Sequence, residues 1–144
     1  MKSFSIFLMA ILFSSATFAQ EVKYYNSDGI AIKGYDPVAY FVQKKAIEGS
    51  DSYTFNWSGS KWKFMSQANL DSFRIDPEKY APQYGGYCAY GCSENHLAPT
   101  DPNAWTIVNN KLYLNYNLNV KKSWIKDTTN LIKTADMNFP VLNK

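Results

Sequence analysis

Two stretches of this chain alternate apolar and polar residues on either side of a tight turn, and they restrict the fold more than any other feature. Tyr53-Thr-Phe-Asn-Trp57 turns at Ser58-Gly59-Ser60 and resumes as Lys61-Trp-Lys-Phe-Met65; Ala104-Trp-Thr-Ile-Val108 turns at Asn109-Asn110 and resumes as Lys111-Leu-Tyr-Leu-Asn115. Alternation with a period of two sends every second side chain to the same face of a strand. Gly and Asn accept the positive φ that the tightest hairpin turns demand. Both stretches therefore predict antiparallel hairpins, with Trp57, Trp62, Trp105 and Leu114 in the core. Short strands are expected at Val22–Asn26 and Ile30–Lys33, split by Ser27-Asp28-Gly29. Ser66 is placed to cap a helix running to about Arg74, with Leu70 and Phe73 inward. Asp76-Pro77 stops that helix and opens one more turn to Tyr80. Beyond Asn117, the apolar residues Leu118, Trp124, Ile125, Leu131 and Ile132 predict one helix broken near Asp127, or two helices. The expectation is a small single α+β domain: two antiparallel β-hairpins packed against short helices and a C-terminal helical segment.

Composition narrows the class. With 46% apolar residues and a net charge of only +3, the 144-residue chain has enough apolar material for one core and is not a disordered protein. Its lysines are scattered, with no basic run longer than Lys121-Lys122, so a nucleic-acid partner is not expected. Two cysteines and one histidine leave little for a zinc-finger scaffold, and no paired carboxylates suggest a hydrolase, since Asp36-Pro37 and Asp76-Pro77 read as turn or cap chemistry.

Residues 1–19 read as a signal peptide. Met1-Lys2 is a short positive start, Phe4–Phe13 is an apolar run too short to span a bilayer, and Ala19 closes a stretch of small residues before Gln20. No cysteine follows Ala19 directly, so a bacterial lipoprotein anchor is not expected. The mature protein would be residues 20–144, periplasmic or secreted, without a stable membrane span, in a compartment that permits disulfides.

Several separated motifs carry a resemblance. Gly34-Tyr-Asp-Pro-Val-Ala-Tyr-Phe41, Trp62-Lys-Phe-Met-Ser66 and Phe73-Arg-Ile-Asp-Pro-Glu-Lys-Tyr80 resemble the YHS domain. Ala81-Pro-Gln-Tyr-Gly-Gly-Tyr-Cys-Ala-Tyr90, Trp105-Thr-Ile-Val108 and Lys111-Leu-Tyr-Leu-Asn-Tyr116 resemble its exported bacterial branch, the YHS domain-containing (seleno)proteins. The resemblance implies a thiol-based function, since YHS domains typically carry cysteines and are thought to bind metal. It also implies a reactive position at Cys88, where some relatives carry selenocysteine. This chain departs from the typical pattern: Ala39, Met65 and Asn69 stand where the family's thiols are expected, so metal binding does not carry over from that cluster.

Candidate chemistry concentrates between Tyr80 and Asn110, a stretch without Lys or Arg that holds both cysteines and the sole histidine. Cys88, Cys92 and His96 are spaced by four and four, so one continuous helix would put all three on one face as a soft-metal site for copper or zinc. Gly91 inside that helix is a natural stop, and a stop there would free Cys92 and His96 from the periodicity. Helical neighbours four apart hold their Cβ atoms about 5–6 Å apart, beyond the roughly 3.5–4.5 Å a disulfide needs. A helix therefore favours two thiols and a turn at Gly91 favours a bridge. Three states stay open: a bridge or inert buried thiol, a metal site, or a redox thiol. The redox candidate is Cys88, expected in the first turn of a helix starting near Tyr87, where orphan N–H groups favour a thiolate. A second class of function uses Tyr84, Tyr87 and Tyr90 as an aromatic surface for a ligand or another exported protein, without catalysis.

Overall fold

The computed structural model describes residues 20–144; the segment read as a signal peptide lies outside the described residues. Both hairpins are present. Strand β3 (Ser50–Trp57) pairs antiparallel with β4 (Ser60–Phe64), and β5 (Asp101–Val108) pairs antiparallel with β6 (Lys111–Asn115). Their turns are left-handed at both central residues, Ser58 and Gly59 in the first and Asn109 and Asn110 in the second. That conformation matches the right-handed strand twist.

The N-terminal strands are shorter than the sequence suggests. β1 (Asn26–Ser27) shares only Asn26 with the strand expected at Val22–Asn26, and β2 (Ile30–Ala31) ends where the chain swings into a 3-10 turn at Ile32–Gly34. β2 runs parallel to β4, so the sheet order is β1-β2-β4-β3. Helix α1 (Ala39–Val42), not anticipated from the sequence, follows Asp36-Pro37. Helix α2 (Gln67–Ile75) starts where Ser66 Oγ accepts from Asn69 N, and α3 (Pro77–Tyr80) is capped by Asp76. Helix α4 (Ala89–Ser93) precedes the second hairpin, and α5 (Leu118–Trp124) and α6 (Thr128–Leu142) follow it, split at the capping residue Asp127. Among the described residues, no helix is long and apolar enough to cross a membrane.

Strand β6 divides two cores. Leu112 and Leu114 join Trp62, Phe64, Phe73, Val38 and Tyr40 in one apolar cluster. Tyr113, one residue out of phase, packs with Tyr84, Cys92, Trp124 and Ala135 in the other. Trp62 and Leu114 are completely buried, and Trp57 and Trp105 pack partly buried against the first cluster. The same alternation sends Asn115, the last residue of β6, to the side where Tyr113 and α4 lie, and it is fully buried there.

Candidate functional site

The approach to the cysteines is a left-handed turn. Tyr84, Gly85 and Gly86 all have positive φ, at 55°, 60° and 76°. At Gly85 a side chain is excluded on two grounds: the φ, and Lys23 O, which would lie 2.6 Å from a β-carbon. The turn delivers Cys88 to the N-cap position of α4, one residue outside the helix rather than in its first turn. Cys88 N donates to Ala98 O at 2.9 Å, and Cys88 Sγ accepts from Gly91 N at 3.4 Å and from Tyr116 N at 3.3 Å. The S–H faces Asn115 Oδ1 at 3.6 Å, and the same oxygen accepts from Tyr90 N at 3.0 Å.

Cys88 is only 2% exposed, and burial pushes its thiol above the ordinary value. Backbone donors from Gly91, Tyr116 and Tyr90 pull the other way and do not outweigh burial. The sequence expectation of N–H groups facing this sulfur is met, but the net sign is opposite: the resting group is a neutral thiol. The residue forms part of an open cleft of about 370 Å³ shared with Tyr90, His96, Ala98, Tyr116 and Val120.

Cys92 and His96 do not join it in a ligand set. Gly91 does not stop the helix; the left-handed residue is Asn95, and α4 runs through Gly91. A β-carbon there would sit tightly against His96, 3.2 Å from its O and 3.3 Å from its Nε2, so a larger residue requires the His96 loop to shift by a few tenths of an ångström. Cys92 is fully buried in the second core, its thiol pushed up to about 12 by burial and, secondarily, by Cys88. His96 is exposed at the rim of the cleft. Both cysteines are unbridged, and among the described residues no three His, Cys, Asp or Glu side chains converge as a metal site. The four-and-four spacing fails because Cys88 is a cap with non-helical backbone, φ −57° and ψ 116°, so its side chain does not continue the helical face.

The three tyrosines also separate. Tyr84 belongs to the second core, where its hydroxyl donates to Asp136 Oδ1 at 2.8 Å; burial, then this bond, raises its pKa. Tyr87 stacks obliquely on Tyr25 with centroids 5.4 Å apart, and Tyr90 lines the Cys88 cleft. They are not one exposed aromatic surface.

A second buried polar centre lies across the molecule. Asp36, completely buried, accepts from Val38 N at 2.8 Å and Ala39 N at 3.2 Å through Oδ1, and from Met65 N at 2.8 Å and Asn69 Nδ2 at 2.7 Å through Oδ2. The cap reading of Asp36 holds for Oδ1 alone; Oδ2 ties this loop to the junction of β4 and α2.

Residues 38–84 match the family model of the YHS domain. No curated protein and no solved structure matches the chain. The matched segment contains Ala39, Met65 and Asn69 and ends four residues before Cys88. At that junction a metal does not fit: the carboxylate is committed to four N–H donors, Asn69 gives its amide protons to Asp36 and Gln43, and Met65 offers only a thioether. Asn115 and Tyr116, which complete the surroundings of Cys88, were missed in the sequence. The available signal was a polar residue at the end of a strand whose two faces are both apolar.

Proposed function

We propose that this is an exported YHS-domain protein whose working group is the Cys88 thiol, serving reversible redox chemistry rather than a three-ligand metal site. The observation that carries the reading is the placement of Cys88. Its sulfur sits at a helix cap with backbone N–H groups aimed at it, beside an open cleft, whereas Cys92 is enclosed in the core. Soft-metal coordination by Cys88, Cys92 and His96 finds no support in a geometry that turns Cys92 inward and leaves His96 at the rim. Donors aimed at sulfur favour the thiolate, so the fraction of Cys88 that has lost its proton to solvent is the species that attacks, and that fraction grows with pH. Export follows from the N-terminal segment of the sequence and would supply the oxidising surroundings.

The test is exchange with a low-molecular-weight disulfide, followed by peptide mapping. Cys88 is expected to form a mixed disulfide that dithiothreitol removes; Cys92→Ser keeps this behaviour and Cys88→Ser loses it. A folded protein in which Cys88 forms no mixed disulfide contradicts the proposal. So does a stoichiometric Cu(I) complex that requires Cys92 as well as Cys88.

A further inference from the structure

Three buried side-chain polar atoms among the described residues lack a hydrogen-bond partner: Thr106 Oγ1, Trp124 Nε1 and Asn115 Nδ2. The last belongs to the amide that touches the Cys88 sulfur. Its orientation is fixed, because turning it over would set Nδ2 against Tyr90 N–H, donor facing donor. Asn115 is completely buried, its Oδ1 faces the Cys88 sulfur, and the Nδ2 of the same amide has no acceptor. Buried donors are satisfied in the great majority of cases, so an exception on the amide that touches Cys88 calls for an explanation.

An acceptor carried on the sulfur would stand next to this amide, whose oxygen lies 3.6 Å from Sγ. Gly91 N and Tyr116 N already point at Sγ, at the long distances that sulfur as an acceptor allows. An oxygen bonded to that sulfur would be small, polar and rich in lone pairs, and would stand among these donors. Building on the reading of Cys88 as the working thiol, we infer that this pocket holds Cys88 as a sulfenic acid formed by a small hydroperoxide, with Asn115 Nδ2 donating to the added oxygen.

The chemistry balances without a metal. Cys88 sulfur attacks the terminal peroxide oxygen; the S–O bond forms as the O–O bond breaks. Sulfur is oxidised by two electrons, and the thiol proton leaves with the departing oxygen as an alcohol, or as water when the oxidant is hydrogen peroxide. Return requires an external low-molecular-weight thiol. One molecule condenses with the sulfenic acid to a mixed disulfide and water, and a second releases Cys88 as thiol with formation of the small disulfide. Cys92 is not the resolving partner, since it packs among Tyr84, Tyr113, Trp124 and Ala135. The cleft is lined mainly by uncharged residues, which suits hydrogen peroxide or a small alkyl hydroperoxide.

The experiment treats the reduced folded protein with one equivalent of hydrogen peroxide and follows intact mass and dimedone capture. Expected is the gain of one oxygen atom at Cys88, in the parent and in Cys92→Ser alike. Asn115→Asp keeps an acceptor for Tyr90 N and removes the amide donor. Its sulfenic acid is expected to disappear into the higher oxidation states several-fold faster. A second readout covers failure of that variant to fold: in the 15N-labelled parent, the Asn115 side-chain amide signals should shift on oxidation. Equal sulfenic-acid lifetimes in the two proteins, or unmoved amide signals, overturn the inference. If Cys88 exchanges with the small disulfide but never accumulates sulfenic acid, the inference alone fails. If it reacts with neither reagent, the underlying reading fails with it.

Discussion

The molecule holds two buried polar centres, each where a loop enters a short helix, and they are finished differently. Asp36 stands ahead of α1 and takes four hydrogen bonds between 2.7 and 3.2 Å, two on each carboxylate oxygen. Cys88 stands ahead of α4, with contacts of 3.3–3.6 Å around its sulfur and a neighbouring amide nitrogen left without an acceptor. The first centre is closed and clamps two elements of the fold. The second has binding capacity to spare and adjoins a cleft. In a buried network a fully used acceptor points to a structural role, and an unused donor beside a thiol calls for an explanation.

The largest effect is expected at the closed centre. Asp36→Ala leaves the N–H groups of Val38, Ala39 and Met65 without their acceptor, and each unsatisfied buried group costs about 1–3 kcal/mol. A total loss of at least about 3 kcal/mol is expected in urea unfolding. A loss within about 0.5 kcal/mol, as at an ordinary surface site, would show that the clamp is not structural.

A smaller effect distinguishes the two cysteines. Cys92→Ser puts a hydroxyl into an apolar cluster and should cost about 1–3 kcal/mol. Cys88→Ser gives its hydroxyl Gly91 N, Tyr116 N and Asn115 Oδ1 as neighbours, so it should cost under about 1 kcal/mol. Equal losses, read from the same unfolding curves, would remove the distinction between an enclosed thiol and a cleft thiol.

Much of the scaffold was legible in the sequence, because its signals are local. Alternation around Ser58-Gly59 and Asn109-Asn110 located both hairpins, Ser66 located the start of α2, and Asp127 the break before α6. The site was only half legible. The candidate region followed from residue types, but the convergence of Cys88, Cys92 and His96 assumed a helix starting near Tyr87, two residues before the first residue of α4. The Asp36 clamp and Asn115 depend on contacts between residues 29, 33 and 27 positions apart, which no local pattern encodes. The net shift of the Cys88 thiol likewise depends on how completely β6 and α4 cover it.

The most direct test of the difference between the two centres is the rate at which a small methanethiosulfonate modifies each thiol of the folded protein, mapped by peptide mass. Cys88 is expected to be modified while Cys92 stays protected until the chain unfolds. Because burial lifts the Cys88 pKa, its rate should keep rising with pH beyond about 8.5, the ordinary thiol value, instead of levelling off near neutrality. Modification of Cys92 as fast as Cys88, or protection of both in the folded state, would contradict that difference.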